Sequence, residues 1–202
     1  MPRAISELPF IFIIGFNKSA TTSLHEFFRN NGFPSIHWDG GRLAMTMLQN
    51  CCNNRRILTG YDKEYRVFSD MTFRTSRLRF EANGLFRILD ADYPDSFFIY
   101  NNRNLQDWLQ SRALHRGTID GESLIQLEMR LLKTADPQKV IDKWRKERKQ
   151  FEREIRDYFS GYAKFLEIDI SNVDLPIKLS RFLGMPLDQS QWQIHNRNPQ
   201  SS

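Results

Sequence analysis

The run Phe10-Ile11-Phe12-Ile13-Ile14, passing directly into Gly15-Phe16-Asn17-Lys18-Ser19-Ala20-Thr21-Thr22, constrains this chain more than any other stretch. Consecutive bulky apolar residues suit a strand buried on both faces, as in a parallel sheet. Ser23-Leu24-His25-Glu26 then has the S-x-x-E form of a capping box at the head of a helix carrying Leu24, Phe27 and Phe28. A strand, a short turn and a helix start leave the first helical N–H groups without carbonyl partners, and the helix dipole adds positive charge there. An anion is favoured at such a place. Lys18 adds a point charge and Thr21, Thr22 and Ser23 add hydroxyl donors, so the segment suits a phosphate or sulfate.

A second strand-to-helix passage follows the same plan. Ser96-Phe97-Phe98-Ile99-Tyr100 reads as a strand, Asn101-Asn102-Arg103-Asn104 as its exit, and Leu105 to about His115 as a helix. Asn104 suits the N-cap, with Asp107 complementing the positive helix end. Ser111 lies two helical turns beyond Asn104, on the face of the helix start. Arg103 and Ser111 can therefore act on one anion, by a charged fork and a hydroxyl.

The order of residues in the first turn separates two chemistries. The ATPase loop G-x-x-x-x-G-K-[ST] sets its lysine just before the metal-binding hydroxyl, whereas Lys18 comes earlier here and Ala20 precedes Thr21. The K-[ST]-[GA]-T-T-S arrangement resembles instead the 5′-phosphosulfate loop of sulfotransferases that use 3′-phosphoadenosine 5′-phosphosulfate (PAPS). In that family an R-x7-S element after a central strand binds the 3′-phosphate, and Arg103 to Ser111 keeps its spacing; Trp108 in "NLQDWLQSR" is also similar. "FLGMP", followed by "IHNRN", is similar to the end of bacterial-type sulfotransferases. The three anchors, Gly15–Leu24, Arg103–Ser111 and Phe182–Asn196, span most of the chain.

The resemblance implies a P-loop-like α/β fold of three layers, with a mostly parallel central sheet flanked by helices. It implies transfer of a sulfuryl group from PAPS to a hydroxyl or amine of a small-molecule or glycan acceptor, leaving adenosine 3′,5′-bisphosphate (PAP), with no metal. Phe16, Asn17, Lys18, Ser19, Ala20, Thr21, Thr22, Ser23, Arg103 and Ser111 would bind the cofactor, and Lys18 would stabilise charge on the bridging oxygen. The family's base is a histidine or an acidic residue near the end of the strand that here reads Val67-Phe68-Ser69-Asp70. "SDMTF" offers no histidine, so Asp70 is the candidate and His37, in the loop after the first helix, its rival. Phosphoryl transfer by a kinase-like P-loop enzyme, and a non-catalytic module binding anions or nucleic acid, are the alternatives.

The rest of the chain alternates strands and helices. Phe33 to Trp38 precedes Gly40-Gly41 and a helix through Leu43, Met47 and Leu48; Arg66 to Ser69 is a strand ending at Asp70; a helical pattern runs from about Phe80 to Leu89. Thr118–Lys133 reads as helical or as a cover, Asp136-Pro137 starts a long helix, Phe165 to Ile170 is a strand, and Leu175 to Leu183 a helix stopped by Gly184 and Pro186. This order predicts a largely parallel sheet with ligands outside its carboxyl ends, so Lys18, Asp70 and Arg103 should face one crevice.

With 202 residues, 40% of them apolar, a single domain with its own core is expected. The net charge of +5 concentrates in Lys143 to Lys149, where Val140, Trp144, Phe151, Ile155 and Tyr158 share a helical face. That pattern reads as an amphipathic surface helix rather than a nucleic-acid reader, and no membrane partner is expected. The adjacent Cys51 and Cys52 read as free thiols of a reducing compartment, the cytoplasm. Oligomeric state is left open.

Overall fold

The computed structural model of the chain describes residues 4–116 and 121–193. Its centre is a five-stranded sheet in which β1 (Ile11–Ile13) pairs with β3 (Val67–Ser69) and β6 (Phe97–Asn102). β2 (Ser35–His37) borders β3, β7 (Phe165–Asp169) borders β6, and every pairing is parallel. The connecting helices are α1 (Thr21–Asn30), α2 (Arg42–Cys52), α3 (Phe86–Asp92), α4 (Leu105–Ala113), α5 (Leu124–Leu131), α6 (Pro137–Tyr158) and α7 (Leu175–Leu183). β4 (Thr72–Arg74) and β5 (Arg79–Glu81) make a small separate sheet. The α/β class with a parallel sheet and flanking helices is the one the alternating pattern predicts.

The chain packs as two compact units. The first comprises the residues up to Phe73, Phe80–Asn102 and those from Lys164 onward; the second comprises Arg74–Arg79 and Arg103–Ala163. In the first, successive strand residues point to opposite faces, and both faces are buried. Ile11, Ile13, Val67, Ile99 and Ile168 meet Leu24, Phe27 and Phe28 of α1 and Leu175, Leu179 and Leu183 of α7. The Phe12 ring meets those of Phe10, Phe68, Tyr93 and Phe98, and Phe10 meets Tyr93, with ring centroids 4.7 to 6.2 Å apart. Each fully buried side chain of this size contributes about 1.5–3 kcal/mol, which is why the strands read as unbroken apolar runs.

Connectivity makes β1 the switch point of the sheet. The chain leaves β1, builds β2 and β3 on one side, then crosses to β6 and β7 on the other, so the winding changes direction at β1. His37 and Ile13 are both in register with Ser69. The segments after them emerge at the same carboxyl edge.

The second unit holds α4, α5 and α6. Trp108 and Trp144 are buried, and the Arg112 guanidinium lies 5.0 and 4.9 Å from their ring centres, with Arg148 4.9 Å from Trp108. Arg79, Glu128, Lys143 and Glu147 form a closed square of ion pairs, 2.8 to 3.2 Å apart. Val140, Trp144, Phe151 and Ile155 form the buried face of α6 as expected, whereas Tyr158 is exposed and Arg148 buried among them.

Other expectations need correction. Phe80 does not open a helix: β5 runs to Glu81, the Ala82 N–H donates to the Met71 carbonyl, and a 3-10 turn at Ala82–Leu85 delays α3 to Phe86. Asn83 and Gly84, poor helix formers, occupy that turn. α4 ends at Ala113, short of His115. Of the Thr118–Lys133 stretch, residues 118–120 lie outside the described residues and the rest is helical over α5; α7 is closed by Gly184 in the left-handed conformation. The "IHNRN" tail lies outside the described residues.

Candidate functional site

Asn101, buried at the end of β6, builds the turn after β1. The Gly15 N–H donates to Asn101 Oδ1 over 2.9 Å, and Asn101 Nδ2 donates to the Ser19 carbonyl. Asn83 Nδ2 donates to the Ile14 carbonyl just before the turn, over 3.1 Å. A side chain at residue 15 is impossible, because a Cβ there would lie 2.1 Å from Asn101 Oδ1 and 2.7 Å from the Asn101 carbonyl. Between these ties, Lys18 and Ala20 take φ of +70° and +58°. Left-handed non-glycine residues cost of order 1 kcal/mol or more each and persist where the surroundings over-determine them.

The start of α1 differs from its expected form. The N-cap is Ala20, not Ser23, and makes no side-chain cap bond. The capping box therefore does not form: Ser23 already lies inside the helix, and the methyl of Ala20 cannot accept a hydrogen bond. Phe16, Asn17, Ser19, Thr21 and Ser23 are buried, while Lys18, Ala20 and Thr22 keep partial exposure. Solvent thus reaches the turn at a cation, a helix start without a cap and a hydroxyl.

Beside the turn stand both candidate bases. The pairing of β2 with β3 brings His37 next to Asp70, with His37 Nε2 3.8 Å from Asp70 Oδ2. His37 Nδ1 lies 3.0 Å from Ser69 Oγ, and Nε2 lies 3.4 Å from Thr22 Oγ1. Asp70, with φ of +49°, accepts from Thr72 Oγ1 at 2.8 Å. His25 stacks on His37 with ring centres 5.5 Å apart, and its Nδ1 lies 2.7 Å from Ser35 Oγ. Burial holds His37 below the ordinary imidazole value against the opposing pull of the Asp70 and Glu26 carboxylates. Burial, then the neighbouring His37 charge, lowers His25 to about 4. Both rings are therefore neutral near pH 7, and His37 can accept a proton.

Arg103 and Ser111 belong to the second unit. Asn104 caps α4 as expected, its side chain accepting from the Gln106 N–H at 2.9 Å and the Asp107 N–H at 3.3 Å. The Arg103 carbonyl accepts from Arg148 Nη2, which ties the residue before the cap to α6. Ser111 is buried on α4 and Arg103 is partly exposed.

Sequence reasoning missed Asn101, Asn83, His25 and Arg148 as organisers of these places. Asn101 stood in the polar run read as the exit of its strand, and only the pairing of β1 with β6 makes it a clamp. Among the described residues, no group of three or more His, Cys, Asp and Glu side chains is placed to hold a metal ion. No helix among them is long and apolar enough to cross a membrane.

No family model and no curated sequence matches this chain. Among solved structures it is similar to the crystal structure of a sulfotransferase from Alicyclobacillus acidocaldarius. The TM-score is 0.53, over 95% of this chain and 87% of that one, at 16% sequence identity. At that identity the likeness establishes the fold, a sulfotransferase-like α/β arrangement.

Proposed function

We propose that this protein is a PAPS-dependent sulfotransferase acting on a hydroxyl or amine of a small-molecule or glycan acceptor. One observation carries the reading. The turn after β1 combines two left-handed residues, a helix start without a side-chain cap and Lys18, and reaches His37 and Asp70 through Thr22. PAPS would supply a sulfuryl group on a phosphate leaving group. Gly15 to Ser23 would hold the phosphosulfate end, with Lys18 meeting charge that grows on the bridging oxygen. Arg103 and Ser111 would take the 3′-phosphate. His37, neutral and held by Ser69, would accept the acceptor's proton, with Asp70 stabilising the imidazolium. The free thiols Cys51 and Cys52 suit a reducing cytoplasm.

Calorimetry with PAP in the absence of metal, and separately with ATP and magnesium, tests the assignment. PAP at a hundred times its Kd is expected to add about 2.7 kcal/mol of stability, a Tm rise on the order of 5–10 °C for a chain of this length. Stabilisation by magnesium ATP with none by millimolar PAP would overturn it.

A further inference from the structure

β2 ends in a turn of unusual backbone. Trp38, Asp39, Gly40 and Gly41 have φ of +58°, +51°, +62° and +84° in succession. Glycine takes such angles freely, and aspartate tolerates them. Trp38 does neither, and its ψ of −50° lies outside the left-handed well too. A single exposed aromatic is ordinary on a protein surface, but an aromatic held out by a strained backbone is not.

The turn is pinned at several points. The Trp38 N–H donates to the Ser69 carbonyl at 3.1 Å, and the Gly41 N–H to the Trp38 carbonyl at 2.9 Å. The Asp39 carboxylate accepts from Tyr61 Oη at 2.6 Å and from Arg42 Nε at 3.2 Å. A Cβ on Gly41 would lie 2.8 Å from the Phe73 ring, so that position admits only glycine without displacing the ring. These ties fix the backbone while leaving Trp38 38% exposed; Trp108 and Trp144 are buried. Trp38 is also adjacent to the proposed base. It follows His37 directly, and the Ser69 that receives its N–H has its Oγ on His37 Nδ1 and precedes Asp70.

We propose that Trp38 is the stacking platform for the acceptor, which therefore presents an apolar ring face beside the group that is modified. This rests on the proposed sulfuryl transfer. A phenolic ring and the C–H face of a pyranose share the chemistry, since both offer a flat apolar surface to an indole.

Three probes test it by calorimetry on the PAP-saturated protein: 2-naphthol, methyl β-D-glucopyranoside and the acyclic 1,6-hexanediol. At least one ring probe is expected to bind more tightly than the diol. Trp38→Ala should weaken that probe by about three- to ten-fold, with Trp38→Phe recovering most of the loss. The diol and PAP affinities should stay unchanged in both variants. The ring probe that responds identifies an aryl or a glycan acceptor. No preference for either ring probe, or equal losses for ring and diol, would overturn the role of Trp38. Failure of PAP to bind would overturn the donor reading instead, and the same titrations without PAP then decide Trp38 separately.

Discussion

Two strand-to-helix passages of this chain, β1 to α1 and β6 to α4, read alike in sequence and are built in opposite ways. At β6 to α4 the helix start is completed by its own residue: Asn104 has negative φ and accepts from the Gln106 and Asp107 N–H groups. At β1 to α1 the cap is an alanine in the left-handed conformation, preceded by a left-handed lysine, and the support comes from Asn101 on another strand. A side-chain cap contributes about 1 kcal/mol and each left-handed non-glycine residue costs about as much. The first passage therefore forgoes on the order of 2–3 kcal/mol that the second passage's geometry avoids. That difference is the energetic side of the proposal that the first turn holds a phosphosulfate with its backbone. At the second, two first-turn N–H groups are already occupied, so an anion there would depend on side chains such as Arg103 and Ser111.

The sharpest way to break the contrast is to remove chemistry from the first turn while leaving its shape. Lys18→Met keeps the length of the side chain and loses the charge. If Lys18 acts on charge that develops during transfer, turnover should fall by about 10²- to 10³-fold, with a smaller change in PAP affinity. Single-turnover assays with PAPS and an accepted substrate check this, and near-normal turnover would remove Lys18 from the mechanism.

Asn101→Ala tests the scaffold instead. It leaves the Gly15 N–H and the Ser19 carbonyl, both buried, without their partner. Orphaned groups cost about 1–3 kcal/mol each, so a loss of about 2–4 kcal/mol in urea unfolding is expected, with weakened PAP binding. Asn101→Asp keeps an acceptor for Gly15 but sets a buried carboxylate oxygen against the Ser19 carbonyl, so it should cost at least as much. A neutral Asn101→Ala would mean that the turn holds its shape without the clamp.

Which parts were legible follows from where the information lies. Asn104 and Asp136 read correctly as caps because the capping oxygen belongs to the residue itself. The bounds of α7 read correctly because Gly184 carries the stop. β1 read correctly because burial on two faces demands an unbroken apolar run, whereas β6 runs past the expected Tyr100 through the polar Asn101 and Asn102. Ala20 did not read correctly, since the Asn101 side chain that ties this turn at Gly15 and Ser19 comes from 86 and 82 residues away. His37 and Asp70 read as rivals because only the β2–β3 register brings them together. Arg148 read as a solvated charge of α6, yet it is buried with its guanidinium over the face of Trp108.

The β6–α4 passage can be probed for the function proposed for its side chains. Arg103→Ala should weaken PAP by about 1.5–3 kcal/mol, roughly ten- to a hundred-fold or slightly more, and adenosine 5′-phosphate much less. The difference arises because only PAP carries a 3′-phosphate. Equal losses for the two nucleotides would detach Arg103 from that phosphate.

The smallest effects test the comparison most directly, because they exchange the two helix starts. Asn104→Ala removes two hydrogen bonds from the α4 start and should cost about 1 kcal/mol. Ala20→Gly acts in the other direction, since glycine accepts a φ of +58° without the Cβ penalty. Relief of that strain, reduced by the greater freedom of glycine in the unfolded chain, should leave a net gain of under about 1 kcal/mol. Urea midpoints at constant m-value separate the two signs. If Ala20→Gly destabilises the protein as much as Asn104→Ala does, the turn after β1 is not strained. The backbone of that turn would then carry no cost for a bound ligand to offset.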